Sequence, residues 1–228
     1  DFEDIQQLEA IGTISDLMPM VDENRIIVRK GLSLMSKKPL PCLSYLLAKQ
    51  NLIGKPISAV NVSFKISPVL NAAGRMGEPE TALELLLTDE PGKIEDLTDR
   101  RLSLNAARQQ NEEDTMKMVS SKAEDSYIDN DGKIVIIDDP SVPRGLTGSI
   151  ASRISNDKRI PVIVLATMDG KVSGSMRCHD PWSARDFLSS FSHLLEDYGG
   201  HRFAAGFRLD EEKKAEFINS VPFTPKSK

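Results

Sequence analysis

The sequence predicts an α/β protein, and three features of its 228 residues lead to that prediction. Short apolar runs rich in β-branched residues recur in the C-terminal half, as buried strands require. Segments with apolar residues at helical spacing alternate with these runs. A long polar stretch without glycine or proline, residues 93–124, separates this half from an N-terminal region that mixes apolar runs with turn signals.

In the N-terminal region, residues 26–28 (IIV) predict a strand or the start of a buried helix, and residues 43–47 predict a helix. Residues 57–66 predict an extended stretch, since a proline bounds them on each side. The polar stretch predicts one helix of up to about 45 Å. Its thin apolar stripe favours a helix that bridges two bodies, and a charged surface helix is the alternative.

The C-terminal half predicts alternating strands and helices, with turns at the Asp-Gly pairs that begin at Asp131 and Asp169. Strands are expected at 133–138, 161–166, 171–177 and 203–209, and helices at 146–156, 183–198 and 210–221. This alternation indicates a self-contained α/β domain.

The composition is typical of a globular protein, with 39% hydrophobic and 28% charged residues. The 34 acidic residues outnumber the 29 basic ones, which excludes a surface coated in positive charge but allows a local basic groove. No apolar run approaches the roughly 18 residues of a membrane span. The two cysteines form no C-x-x-C pair, so a reduced, cytoplasmic protein is expected. The three histidines are too scattered for a zinc site.

Two candidate motifs lie in the first third of the chain. In residues 12–16 (GTISD), Asp16 could ligate a hard metal ion through oxygen, or it could be a helix cap or a surface carboxylate. In residues 71–77 (NAAGRMG), two glycines flank Arg75 in a predicted turn, so the backbone and the guanidinium could both approach a phosphate. The alternative is a turn that closes onto a helix, with Arg75 paired to an acid.

Two further motifs lie in the α/β half. Alternation along the strand at 174–177 (GSMR) places Ser175 and Arg177 on one face, either as a phosphate pocket or as solvated residues of an edge strand. In residues 199–201 (GGH), the glycines allow close backbone approach at a predicted helix C-terminus. His201 there could donate to a phosphate or transfer a proton, or it could be structural. Residues 145–148 (GLTG) could open a helix whose N–H groups attract an anion.

The order of these motifs resembles the RecJ-type single-stranded-DNA exonucleases of the DHH phosphoesterase superfamily. The resemblance covers essentially the whole chain. The matching segments are 12–20 (GTISDLMPM), 70–76 (LNAAGRM), 145–153 (GLTGSIASR), 174–177 and 199–201. It implies the C-terminal portion of such an enzyme, with an α/β fold that combines the end of a phosphoesterase domain, a long connecting helix and a DHH-associated domain with a mixed sheet. The implied regions are 1–30 (phosphoesterase), 31–125 (connecting region with the NAAGR motif and long helix), 126–222 (DHH-associated domain) and 223–228 (tail).

The function that the resemblance implies is metal-dependent 5′→3′ hydrolysis of single-stranded DNA, in DNA repair and recombination. It implies two Mn²⁺ or Mg²⁺ ions, and single-stranded DNA as substrate. A single-stranded-DNA-binding protein or a helicase would bind through regions outside this chain. The implied site residues are Asp16 as one metal ligand, Asn71, Arg75, Ser175, Arg177, Gly199 and Gly200 in substrate and phosphate binding, and His201 in substrate binding and catalysis.

The sequence also departs from the family pattern. The Asp-His-His motif and the earlier Asp-rich motifs, which supply most ligands of a two-metal site, do not occur in these 228 residues. The chain is therefore expected to be part of a longer enzyme and inactive alone. Val142 and Pro143 replace a Trp-His pair of the family, and Cys178 replaces a serine.

Two other functions remain open at this point. One is a phosphodiesterase for short oligonucleotides or cyclic dinucleotides of the same superfamily, which the long polar helix and the NAAGR segment disfavour. The other is a non-catalytic nucleic-acid-binding module, which Asp16 disfavours because such a module has no use for a metal ligand.

Overall fold

The computed structural model describes residues 2–75 and 80–221, with side chains over 2–72 and 82–221. The chain divides into two compact units, unit 1 (Asp1–Gln109) and unit 2 (Gln110–Lys228). No helix in the described part of the chain is both long and apolar enough to cross a membrane.

Unit 1 is helical, and its described helices pack around one apolar core. They are α1 (Phe2–Ser15), α2 (Asp22–Lys37), α3 (Pro41–Lys49), α4 (Ala59–Asn61) continued by a π-helical segment (Val62–Ile66), α5 (Ser67–Arg75), α6 (Glu80–Leu87) and the first part of α7 (Pro91–Asp129). Helices α1 and α2 touch closely at Gly31, where a Cβ atom would collide with Ala10. The helix alternative for residues 26–28 and the helix predicted at 43–47 are confirmed.

The extended stretch predicted at residues 57–66 is wrong, because this segment is helical. A capping box starts it: the Ser58 hydroxyl accepts from the Asn61 N–H at 3.2 Å, and the Asn61 side chain accepts from the Ser58 N–H at 2.9 Å. Pro68 does not interrupt the helix either: the π-helical turn Val62–Ile66 directly precedes it, and α5 continues from Ser67.

The long helix predicted over residues 93–124 is confirmed as α7, whose 39 residues span about 58 Å. Its first part supplies Ile94 and Leu97 to the core of unit 1. Its last part supplies Val119 and Ala123 to a core of unit 2. The apolar stripe is thin because the helix contributes only a few residues to each core.

Unit 2 contains a five-stranded mixed sheet within its described residues, in the order β1-β2-β3-β5-β4. The strands are β1 (Val135–Asp138), β2 (Val162–Met168), β3 (Lys171–Arg177), β4 (Asp197–Gly200) and β5 (Ala204–Asp210). Strands β1 and β2 are parallel and are connected through α8 (Thr147–Lys158), whereas the remaining pairs are antiparallel. The predicted strands at 133–138, 161–166, 171–177 and 203–209 are confirmed.

The single helix predicted at residues 183–198 is wrong. It is observed as a short helix α9 (Ala184–Ser189), turns, and then strand β4. Phe187, Phe191 and Leu194 all reach the core, which explains the helix-like pattern. The backbone beyond Leu195 pairs with β5 instead, beginning with the Glu196 N–H, which donates to the Arg208 carbonyl at 2.8 Å.

Helices cover both faces of this sheet. The end of α7 and helix α8 pack on one face, against Val135, Ile137, Val162 and Val164. Helix α9 and helix α10 (Lys214–Ser220) pack on the other, where Phe187, Phe191, Phe207 and Phe217 form a chain of ring contacts. Unit 2 is therefore an α/β domain with helices on both sides of a mixed sheet.

Candidate functional site

The open part of the sheet in unit 2 forms the candidate site. Helix α8 packs on β2 and β3, while Gly206 and Arg208 of β5 and Asp197 of β4 are exposed on the same side of the sheet. The antiparallel register pairs Ser173 with Arg208 and Ser175 with Gly206. These residues therefore share one floor beside the first turn of α8.

A cavity of about 420 Å³ opens above this floor. Its lining consists of Arg144, Thr147, Ser173, Gly174, Ser175, Asp197, Gly206, Phe207 and Arg208. Two guanidinium groups, three hydroxyls and one carboxylate face a space of the size that small ligands occupy in proteins. This chemistry favours a polar, anionic ligand such as a sugar-phosphate group.

Ser175 and Arg177 lie on one face of β3, as the alternation predicted, because both contact α8. The Ser175 hydroxyl lies 2.9 Å from that of Thr147. The Arg177 Nε donates to the Ser152 hydroxyl at 3.1 Å, and its Nη1 donates to the Met176 carbonyl at 2.9 Å. A Cβ atom on Gly148 would lie 2.8 Å from Arg177 Nη2, so the glycine gives the guanidinium its room. Ser175 lines the cavity, whereas Arg177 is held against α8.

The two glycines of the GGH motif belong to β4, and the predicted helix C-terminus at this place is wrong. Gly200 has a φ of +141°, and a Cβ atom there would lie 2.6 Å from the Ala205 Cα. The backbone therefore requires glycine at position 200. Gly199 pairs with Gly206 across the ladder, and a Cβ atom at 199 would meet nothing within 4 Å.

His201 begins the turn between β4 and β5. Its N–H donates to the Ala204 carbonyl at 2.8 Å, and the residue is exposed. It does not belong to the cavity lining. The structure thus separates the motif into a glycine that the backbone needs, a glycine on the open floor, and a histidine in the turn beyond it.

Sequence reasoning missed two cationic side chains of the cavity, Arg144 and Arg208. Arg208 Nη2 donates to Asp197 Oδ2 at 3.2 Å. Arg208 follows Gly206 by two residues, so alternation along β5 would have placed it on the same face. Arg144 directly precedes the helix-opening motif at 145–153, in a short 3₁₀ turn that continues into α8.

A buried carboxylate holds the loop that leads to Arg144. Asp139 accepts from Lys122 Nζ at 2.6 Å and from the Ser141 N–H at 2.8 Å. These donors, Lys122 foremost, lower the pKa of Asp139 from 3.8 to about 2. The loop is thereby joined to the last part of α7 within the same unit.

Unit 1 contains the remaining predicted site residues. A hydrogen bond between two serine hydroxyls places Asp16 and Asn71 on the same side of unit 1. Asp16 directly follows α1, its N–H donates to the Gly12 carbonyl at 2.9 Å, and the residue is exposed. The neighbouring Ser15 hydroxyl lies 2.5 Å from that of Ser67, the first residue of α5. Asn71 is exposed one turn further along α5, on the Ser67 face.

The turn predicted for the NAAGR motif is wrong, since Asn71 to Arg75 form the end of helix α5. Two alanines within the motif suit a helix. The side chain of Arg75, and the predicted turn at residues 76–77, lie outside the described part of the structure.

Sequence reasoning also missed Arg101, which lies on α7 and is 1% exposed. Its Nη1 donates to the Leu70 carbonyl at 2.9 Å, immediately before Asn71. A buried arginine is unusual, and here it fastens α5 to α7. Only the burial distinguishes Arg101 from its exposed neighbour Arg100, and no pattern in the sequence showed it.

The described residues do not fit the paired-ion site that the family resemblance implies. Among them, no group of three or more His, Cys, Asp or Glu side chains could hold a metal ion. Asp16 offers one exposed carboxylate, and paired ions need several ligands.

The two cysteines are buried free thiols. Burial raises the pKa of both Cys42 and Cys178 to about 11. Cys178 follows Arg177 directly, and its Sγ lies 3.5 Å from the Arg202 carbonyl. Both thiols are therefore protonated and unreactive near neutral pH.

Comparison with known proteins gives a domain-family match within unit 2 and similar proteins over nearly the whole chain. Residues 131–222 match the DHHA1 domain family. The single-stranded-DNA-specific exonuclease RecJ of Thermus thermophilus is 39% identical over 204 residues, which cover 90% of this chain and 29% of that protein. The protein of the same name from Escherichia coli is 31% identical over 219 residues, which cover 92% of this chain and 38% of that protein.

The crystal structure of Thermus thermophilus RecJ in complex with Mn²⁺ superimposes with a TM-score of 0.84 at 36% identity, over 96% of this chain and 32% of that chain. This chain thus spans between 29% and 38% of the length of these relatives. In sequence and in fold the chain is therefore similar to RecJ-type proteins over nearly its whole length, and residues 131–222 match the DHHA1 domain.

Proposed function

We propose that this chain is the substrate-binding portion of a metal-dependent 5′→3′ exonuclease that hydrolyses single-stranded DNA. The polar cleft on the open face of the DHHA1 sheet is the observation that carries the proposal. Relatives from two bacteria named as single-stranded-DNA-specific exonucleases support it. A cytoplasmic role in DNA repair and recombination is part of the same proposal.

The proposed roles follow the chemistry of each side chain. Ser175 and Arg177 position a phosphate beside the first turn of α8, and Gly199 lets the strand approach the backbone of β4. Arg75 neutralises a further phosphate, and Asn71 orients the strand. Gly200 keeps the turn in shape, and His201 approaches the scissile phosphate as the catalytic residue. Such groups act by positioning and by charge neutralisation.

The region boundaries at residues 30, 125 and 222 remain part of the proposal. Asp16 would supply one oxygen ligand, and segments outside this chain would supply the others. Mg²⁺ and Mn²⁺ are the ions named in the Thermus thermophilus RecJ structures. Because the described residues hold no cluster of ligands, we expect the 228-residue chain to hydrolyse nothing by itself.

The decisive experiment uses the full-length protein that contains this chain and long DNA labelled at its 3′ end. We expect shortening from the 5′ end of single strands in Mn²⁺ or Mg²⁺, none in EDTA, and resistance of duplex DNA. Cleavage of only two-to-five-nucleotide pieces would instead indicate an oligonucleotide phosphodiesterase. Binding of single strands without metal-dependent cleavage would indicate a non-catalytic module.

Arg75→Ala tests the phosphate role of the NAAGR motif in the same full-length protein. Loss of one phosphate contact should weaken binding to all single-stranded sequences and reduce the slope of log K against log salt by about 0.7. Arg185→Ala is the matched control, because Arg185 is an exposed arginine on α9, away from the cavity. An unchanged salt slope for Arg75→Ala would remove this residue from the proposal.

A further inference from the structure

The arginines near the cavity differ in the hydrogen-bond and ion-pair partners of their guanidinium groups. Arg177 is held by α8 and by its own backbone. Arg208 is paired with Asp197 at 3.2 Å. Arg144 is exposed, and no hydrogen bond or ion pair engages its guanidinium among the described residues. Arg144 is therefore a cation of the cavity that stays available for a ligand.

The open face of the sheet is bare at two paired positions that have room for side chains: Gly206, which lines the cavity, and Gly199 beside it on the edge strand β4. A Cβ atom on Gly199 would meet nothing within 4 Å, and one on Gly206 would meet only the Gly174 carbonyl at 3.7 Å. Alanine would fit at both positions. At Gly200, in contrast, the neighbouring backbone excludes a Cβ atom. Glycines within strands occur at bulges, at bends, and where a ligand or another backbone approaches closely, and at Gly199 no other backbone fills the space.

The register of the sheet sets the spacing of polar groups along this floor. Ser175 faces Gly206, and Ser173 faces Arg208 one same-face step further along the ladder. Such a step of two residues covers about 6.6 Å. This distance is comparable to the separation of successive phosphates in an extended single strand.

We propose that Arg144 and Arg208 bind a second phosphate of the strand, one nucleotide beyond the phosphate at Ser175, so that the strand runs from the Ser175–Gly206–Gly199 row of the sheet to the Ser173–Arg208–Asp197 row. The inference rests on the proposed function and deepens it, because it assigns unit 2 an oligonucleotide with at least two phosphates in contact. Asp197 opposes the bound phosphate and holds Arg208 in place when no strand is present. An ion pair between two exposed side chains is weak, so a phosphate can replace the carboxylate as partner of Arg208.

The test measures binding of a fluorescently labelled oligothymidylate to the 228-residue chain, from low salt upwards. Arg144→Ala should weaken binding about tenfold and reduce the salt slope by about 0.7, as expected for one lost phosphate contact. Arg185→Ala removes the same charge from an exposed site on α9 and should change neither quantity.

Two further variants, with Gly200→Ala as the control for folding, test the position independently of the positive charge of Arg144. Asp197→Asn should strengthen binding, since it removes the carboxylate that competes for Arg208. Gly199→Ala should weaken binding and leave the thermal midpoint unchanged, because its methyl group enters open space that the strand would occupy. Gly200→Ala should lower the thermal midpoint, which distinguishes a glycine of the fold from a glycine of the site.

If Arg144→Ala binds as Arg185→Ala does, with the same slope, the second phosphate position is wrong and the proposed function stands. If Asp197→Asn weakens binding, the orientation assigned to Arg208 is wrong. If the wild-type chain does not bind oligothymidylate even at low salt, the strand position in unit 2 is wrong. The nuclease assay on the full-length protein decides the proposed function separately.

Discussion

The two units place their candidate site residues by different physical means. In unit 2, the ladder between β3 and β5 aligns Ser175 with Gly206, so backbone hydrogen bonds hold the floor of the cavity in register. In unit 1, helix packing and two side-chain contacts position the corresponding residues: Ser15 with Ser67 beside Asp16, and Arg101 with the Leu70 carbonyl before Asn71. A site held by a ladder should be less sensitive to the loss of one side chain than a site that depends on side-chain contacts between helices.

Among the substitutions that test this difference between the units, Arg101→Ala should have the largest effect on stability. The change leaves a cavity at a side chain that is 1% exposed and removes the bond to Leu70, so the free energy of unfolding of unit 1 should fall by about 2–4 kcal/mol. Hydrogen exchange followed by mass spectrometry measures this effect in the peptides of unit 1.

Arg100→Ala is the matched control, since it removes an equal charge from the exposed neighbouring position on the same helix. It should cost at most about 1 kcal/mol. Equal protection of the α5 peptides in the two variants would show that Arg101 does not hold this helix.

Protonation of Asp139 should have an intermediate effect on stability. This side chain holds the loop before Arg144 in unit 2. Its folded-state pKa of about 2 lies below its ordinary value of 3.8, so the ionised form is stabilised by folding. This contribution of about 1–2 kcal/mol is complete above pH 4 and is lost as the pH falls from about 4 towards 2. Urea unfolding across that pH range, followed through the single tryptophan, Trp182 of unit 2, measures it.

Asp139→Asn should be less stable than the wild type at pH 7, and the difference should shrink at low pH. An equal difference at pH 7 and at pH 2 would contradict the ionic role of this side chain. The register of β3 and β5 should not change, so the variant should retain the proposed binding of oligothymidylate at pH 7.

Ser67→Ala should have the smallest effect, about 1 kcal/mol, because it removes one hydrogen bond between hydroxyls. The exchange of the amides near Asp16 should rise more than that of unit 1 as a whole. Ser103→Ala, at an exposed position of α7, should show no loss. If exchange near Asp16 does not change in Ser67→Ala, another contact holds this segment beside α5.

Strands were predictable wherever their residues were buried on the sheet. Runs such as 162–166 (VIVLA) are apolar and β-branched, and they predicted β2 directly. Strand β4 (DYGG) has no such signal, because it is an edge strand that is stabilised by pairing with β5. At 57–66, the flanking prolines alone led to the prediction of an extended stretch, whereas the Ser58 capping box starts a helix that continues through Pro68.

The candidate site was predictable to a similar degree. The motifs located Ser175 on the cavity and Arg177 beside it, since alternation within one strand is a local rule. Arg144, Arg208 and Asp197 escaped prediction because their meeting depends on the register of distant strands and on where α8 stops covering the sheet. Arg101 escaped because burial of a charged side chain is a property of the packed unit.

The amino-acid sequence determined the α/β class, the long helix, most strands and the family resemblance, since these depend on local periodicity and on short ordered motifs. Tertiary structure alone decided which cations share the cleft, which glycine the backbone needs, and which carboxylate and amide lie on one side of unit 1. These relations join residues far apart in the chain, and only hydrogen-bond register and close packing bring such residues together.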